Sequence, residues 1–224
     1  MRSFTLKSYK SYIEQIIKNY PTTLRFDEYF LKKEIPQSFV IIRHDVDRMP
    51  KRALNMAKIE KSLGVSATYY FRLKKHTFNT DIILKIFEMG HEIGYHYEDL
   101  SDASGDMVTA LKNFENNLNK LREIVPVKTI SMHGRPLKKQ DNRDMWKSEK
   151  NDKFLKNKLD ILGEVYLDID YTDIAYINDT GRNWASNKSN IRDKIISNVD
   201  ADFENEYELF NALKNKKFNK IVFQ

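Results

Sequence analysis

Apolar positions recur with two different periods along the chain, and the switches between them mark its elements. From residue 5 to 20, Leu6, Tyr9, Ile13, Ile16, Ile17 and Tyr20 return at the three- and four-residue spacing of one helix face, and Pro21 ends the run. After Pro36, "SFVIIRHD" is nearly continuous in apolar residues, as a strand covered on both faces requires. Pro50 then opens a helix carrying Leu54, Ala57 and Leu63, and Gly64 stands where such a helix stops. "VSATYYFRL" is β-branched and aromatic, hence a strand. "NTDIILKIFEMG" predicts a short helix with Thr80 as N-cap, and "HEIGYH" a strand. Ser104 or Asp106 caps a longer helix with Met107, Leu111, Phe114, Leu118, Leu121 and Val125 on one side, and "VKTISMHG" is again a strand.

This succession is β-α-β-α-β-α-β with apolar strands and short turns. It implies an α/β fold of mainly parallel strands covered by helices, either a doubly wound sheet or a β/α barrel. Residues 137–158 are polar and predict a loop with a helix. "EVYLDIDYTDIAYIND" follows as one or two strands, "FENEYELFNALKN" as a helix and "NKIVFQ" as a last strand. No internal repeat or linker divides the chain. The expected organisation is one domain over 1–224, with a helical extension over 1–35 and an insertion over 137–158.

Composition narrows the chemistry. The chain has 224 residues, of which 41% are hydrophobic and 12% aromatic, enough for a sizeable core. It contains no cysteine, so any metal must be held by histidine, carboxylate or water. Neither a signal-type apolar stretch at the start nor a run of 18 apolar residues is present, which predicts a cytoplasmic protein without a membrane span. The net charge of +6 permits an anionic partner. The lysines, however, are scattered among Asn, Asp and Glu, so the charge reads as solvated faces and not as a specific nucleic-acid site.

In parallel α/β folds, ligands gather at the carboxyl ends of strands. There stand Asp45 and Asp47 after the first long strand, Arg72 after the second, His96 after the third and His133 after the fourth. Residues two apart on extended backbone face the same way, so the two aspartates repel each other unless a cation joins them. A divalent ion would do so, and Zn²⁺ in particular takes histidine and carboxylate together. The competing reading of Asp47 is as a cap for the helix at Pro50. His91 alternates away from His96 and reads as structural, His44 as packed behind the site, and His76 as a loop residue. Glu98 and Asp99 read as acids of a solvated loop. "YINDTGRNW" offers Asp179, Arg182 and Trp184 either as a sugar-stacking cluster or as a turn with Trp184 in the core.

"RHDVD", "GVSATYYF" and "GHEIGYH", in this order and spacing, resemble the first half of the polysaccharide deacetylases, the NodB-homology or carbohydrate esterase 4 group. The likeness covers about residues 39–136. It implies a distorted or incomplete (β/α) barrel that removes acetyl groups from sugars with a divalent metal, Zn²⁺ foremost and Mn²⁺, Co²⁺ or Ni²⁺ as alternatives. Motif order makes Asp45 the catalytic base and Asp47 a ligand with His96. Val46 splits the usual adjacent Asp pair, so the two roles could be exchanged. The usual second histidine, four after His96, is replaced by Leu100, and His133 in "SMHGRP" takes its place as third ligand. Asp47, His96 and His133 should then meet within about 5 Å, given metal–ligand distances near 2 Å. Arg72 is a candidate for oxyanion stabilisation and Arg135, in the Arg-Pro that resembles the family's third motif, for substrate binding. The implied substrate is an acetylated amino sugar or glycan precursor, by analogy one for surface polysaccharide.

The family's late Leu-x-His motif has no counterpart, since no histidine follows His133. The chain is therefore expected to be incomplete relative to a working deacetylase, with Ile221, Val222 and Phe223 paired into the sheet and Gln224 near the site. Two rivals follow: a glycan-binding pseudoenzyme of the same fold, and an Asp-x-Asp glycosyltransferase. The second is disfavoured because only about 44 residues precede the motif, too few for a nucleotide-binding half.

Overall fold

A computed structural model describes residues 4–135, 138–179, 184 and 195–224. The long strand β2 (Phe39–Val46) lies inside the sheet, and its two halves have different neighbours. β3 (Thr68–Phe71) pairs with the second half, Asp45 opposite Tyr70, and β8 (Lys220–Phe223) with the first, Ile41 opposite Val222. A two-residue strand, β1 (Thr23–Leu24), pairs with Val40 and Ile41 on the edge that β3 has not yet reached. The order is completed by β4 (Glu92–Tyr97), β5 (Thr129–Met132), β6 (Gly163–Glu164) and β7 (Ala175–Ile177), running β6-β5-β4-β3-β2-β8-β7 with every pair parallel.

From β2 to β6 the order never reverses, as in a barrel and unlike a doubly wound sheet. Among the described residues β6 and β7 do not pair, so the curled sheet stays open and forms an incomplete β/α barrel. "EVYLDIDYTDIAYIND" thus supplies the whole of β7 and only the last residue of β6. The expected pairing of Ile221, Val222 and Phe223 is present.

Crossover helices α3 (Pro50–Ser62), α4 (Thr80–Glu88) and α6 (Met107–Arg122) cover the outside of the sheet. The cap of α4 is Asn79 and not Thr80: its side chain accepts the Ile82 N–H at 3.0 Å. Asp106 caps α6 in the same way. At the start of the chain, α1 (Leu6–Asn19) packs on α8 (Glu206–Lys214), and α2 (Phe26–Leu31) follows β1. The short α5 (Asp99–Asp102) follows β4, and α7 (Glu149–Lys153) runs into a π-helical turn, Phe154–Lys158. Among the described residues no helix is long and apolar enough to cross a membrane.

Alternation along β2 divides the interior into two layers. Val40, Ile42 and Val46 face the helices, with Ile13, Ile83, Phe114 and Leu213 in that layer. Phe39 and Ile41 face into the barrel with Phe26, Tyr70, Tyr176 and Val222. Tyr70 crosses the barrel only because β4 has a glycine opposite it: a Cβ on Gly94 would lie 2.2 Å from the Tyr70 ring and 3.0 Å from the Thr129 carbonyl. The interior is also polar. Glu92 accepts hydrogen bonds from the Thr68 and Thr129 hydroxyls and the Asp27 N–H, and Glu164 accepts from the N–H groups of Met132, Tyr166 and Leu167. Burial pushes both carboxyls up to about 7.

Two outcomes follow from this interior. Gly94→Ala should destabilise the fold by about 3 kcal/mol, the upper end for overpacking, because backbone and a buried ring meet the new methyl; a denaturant midpoint within error of wild type would contradict this. The folded-state pKa of Glu92 and of Glu164 lies above the unfolded value near 4.3. Folding therefore favours their protonated forms, and the stability they add below about pH 4 is lost as pH rises through about 7. Melting temperature should fall from pH 5 to pH 8, and fall less in Glu92→Gln. A variant slope equal to that of wild type would count against this origin.

Candidate metal centre

The inward face of β2 continues past the apolar layer to Arg43 and Asp45. Arg43 has no exposure to solvent, and an unpaired charge there would be very costly. Its Nε and Nη2 donate to the two oxygens of Asp45 at 3.0 and 2.8 Å, and Nη2 also donates to the hydroxyls of Ser131 at 2.5 Å and Tyr166 at 2.9 Å. The guanidinium lies 4.6 Å from the Tyr166 ring centre and 5.3 Å from that of Tyr70. Gln224 holds Asp45 from the other side, its Nε2 donating to Oδ2 at 2.8 Å while its Oε1 accepts from the Tyr176 hydroxyl. Gln224 is thus at the site, as expected.

Just beyond the end of β2, Asp47 meets the side chains from the next two strands. Its Oδ1 is 3.4 Å from His96 Nε2 and 3.2 Å from His133 Nδ1, and the two nitrogens are 3.3 Å apart. The three donor atoms all lie within 4.8 Å of one another. A tetrahedral ion with ligands at about 2.0–2.1 Å requires donor separations of about 3.3 Å, so the triangle has the size of such a site. Hydrogen positions agree with this. His96 Nδ1 lies 2.9 Å from the Ser131 carbonyl and donates to it, which leaves the Nε2 lone pair facing Asp47. Asp47 Oδ1 is buried and receives no hydrogen bond.

A carboxylate and imidazoles this close need a positive charge between them, supplied by a proton on a ring or by a metal ion. Burial opposes charge on both groups, yet His133 and His96 hold the Asp47 carboxyl well below its usual range, and the Asp45 and Asp47 carboxylates raise His96. Asp45 Oδ2 stands 3.7 Å from His96 Nε2, beside the triangle but outside it. The residues fit a divalent ion with one carboxylate and two imidazoles.

Other candidate residues are placed differently. Arg72 does not reach the site: its Nε and Nη2 donate to Glu98 at 2.9 and 2.6 Å. Arg135 donates to Asp102 at 2.8 Å and lies 3.3 Å from Glu98. Glu98 and Asp99 are buried and not solvated, because Glu98 gathers these cations and Asp99 accepts from Tyr95 and Asn117, both at 2.8 Å. Trp184 stacks between Phe4 and Phe223 in the core and borders the cavity, whereas Asp179 is exposed and lines the cavity. Arg182 lies outside the described residues. His91 is structural, accepting the Ala67 N–H and donating to the Ala57 carbonyl, both at 3.1 Å.

Two residues, Arg43 and Glu60, were not singled out by sequence reading. Arg43 had a signal, a cation inside an apolar strand two residues before Asp45. His44 packs away from the aspartates, as expected, with Nε2 2.6 Å from the buried Glu60 of α3, and it also borders the cavity. Glu60 also accepts from Tyr9 and Tyr69, and nothing in its helical context announces this. The cavity over the triangle has a volume of about 420 Å³, within the usual range for a small-molecule site.

The chain matches no family model and no curated protein. Several solved structures are similar to it. A family 4 carbohydrate esterase from Bacillus anthracis is 13% identical, with a TM-score of 0.42 over 94% of this chain and 88% of that one. A CE4 esterase from Streptococcus mutans is 12% identical, with a TM-score of 0.45 over 99% of this chain and 92% of that one. A CE4 family pseudoenzyme from Bacillus anthracis is 14% identical, with a TM-score of 0.45 over 82% of this chain and 63% of that one. At such distances, the chemistry of this chain has to be read from its own side chains.

Proposed function

We propose that the chain is a divergent polysaccharide deacetylase, a metal-dependent hydrolase that removes the acetyl group from an amino sugar or glycan precursor. The observation that carries this reading is the triangle of Asp47 Oδ1, His96 Nε2 and His133 Nδ1, with the carboxylate of Asp45 beside it. Those three residues hold the ion. Zn²⁺ suits the donor set best, and a divalent ion there would polarise the acetyl carbonyl and make water more acidic.

The chain's own residues supply the proton chemistry. Asp45 accepts a proton from the attacking water and returns it to the amine as the C–N bond breaks, giving acetate and the free amino sugar. A carboxylate has about four acceptor positions. Arg43 occupies two and Gln224 one, which fixes the orientation of Asp45 and leaves a single position for water. The Ser131 carbonyl keeps His96 in the tautomer that ligation needs. Arg72, tied to Glu98, takes no part. The same crowding of Asp45 favours a second reading, a glycan binder with the metal but without turnover.

Metal analysis and an acetate-release assay on N-acetylated sugars test the proposal together. The purified protein should carry about one equivalent of divalent metal. Asp47→Asn and His96→Ala should lose it, whereas Asp45→Asn should keep it and lose about 10²–10⁴-fold in turnover, the usual size of a general-base contribution. Metal loss in Asp45→Asn with retention in Asp47→Asn would exchange the two roles. A metal-loaded wild type that releases no acetate from any acetylated amino sugar would establish the binder instead.

A further inference from the structure

The segment leading into α3 is cationic where a helix ordinarily is not. Arg48, Lys51 and Arg52 surround its start, and its first turn holds no acidic residue. The N-terminus of a helix carries partial positive charge, so cations there repel it and an oxygen cap is the usual remedy. Among the described helices of eight residues or more, α1, α4, α6 and α8 each have one, from Thr5, Asn79, Asp106 and Asn205. The N-cap of α3 is Met49, which has no oxygen to offer and sits in the left-handed region at φ 53°.

Arg48 and Arg52 are exposed on the wall of the cavity that holds Asp45, Asp47, His96 and His133. Neither forms an ion pair among the described residues, whereas the other described arginines are engaged. Arg25 holds Asp27, Arg43 holds Asp45, Arg72 holds Glu98, Arg135 holds Asp102 and Arg143 holds Asp141, while Arg122 donates to the Val127 carbonyl. Three acids share the cavity, and none pairs with these arginines among the described residues: Asp45 is taken by Arg43, Asp47 faces the two imidazoles, and Asp179 stands on the wall without an ion pair.

We infer that the molecule entering this cavity carries an oxyanion on its sugar, a phosphate or a carboxylate, and that Arg48 and Arg52 recognise it. A guanidinium pair is suited to this task because its planar N–H groups match both groups in bidentate fashion. The oxyanion would neutralise the start of α3, which no side chain does among the described residues. The inference rests on the deacetylase reading only in taking this cavity as the sugar site. It narrows the substrate to an anionic sugar, such as a glycosyl phosphate or a uronic acid.

Calorimetric titration of the metal-loaded protein tests it with four probes: N-acetylglucosamine, its 1-phosphate, its 6-carboxylate and glucose 1-phosphate. At least one acetylated anionic sugar should bind about tenfold more tightly than the neutral one, the worth of one charge-assisted contact, and raised salt should shrink the difference. Which of the two does so separates phosphate from carboxylate. Arg48→Gln with Arg52→Gln should reduce the preference to about threefold or less, whereas Lys58→Gln, an exposed change on α3 outside the cavity, should preserve it. Equal binding of glucose 1-phosphate and its acetylated counterpart, without acetate release, would defeat the deacetylase reading and still support the oxyanion site. No preference for the anionic sugars, including no binding of any probe, overturns the inference, as does a preference that survives loss of both arginines.

Discussion

A guanidinium sealed inside the barrel is the constraint on which the rest of the site depends. Arg43 has no route to water, so its charge has to be met within the protein. Asp45 meets it from the same strand, Ser131 from β5 and Tyr166 from the stretch after β6, while the rings of Tyr70 and Tyr166 flank it. One side chain thereby joins strands far apart in sequence, and it does so directly beneath the candidate site. Removing either member of such a buried pair leaves the other uncompensated, commonly at a cost of about 3–5 kcal/mol. The geometry of Asp45 is therefore tied to the stability of the barrel.

Above that pair, the mouth of the barrel divides into two regions of opposite character. On one side, Arg72, Lys74 and Arg135 converge on Glu98 and Asp102, and the charges cancel within the protein. These contacts bind the ends of β3, β4 and β5 together and occupy all three of these cations. On the other side, around the start of α3, Arg48 and Arg52 have no such partners among the described residues. Between the two regions stand Asp47, His96 and His133, whose donor atoms face one another. Their mutual approach is unfavourable without a positive charge, which makes this the point where an added cation gains most.

Much of this was legible in the sequence because the information was local. Periodicity identified β2, the crossover helices and β8, since burial on one face or two leaves a direct mark on residue spacing. The rule that ligands gather at strand ends, with the family resemblance, brought Asp45, Asp47, His96 and His133 together. Parallel strands align their carboxyl ends, so residues far apart in sequence reach one rim.

What local pattern could not decide was which charges would meet. Arg72 and Glu98 are 26 residues apart, and their contact depends on how β3 and β4 align. The same holds for Glu60 and His44, and for Gln224 and Asp45, which approach only when α3 docks on the sheet and β8 enters it. Trp184 could equally stack on a sugar or in the core until Phe4 and Phe223 enclosed it. Hydrophobic spacing records how an element is buried, but ion pairing is set by side-chain separations of a few ångströms. Only the packed barrel fixes those.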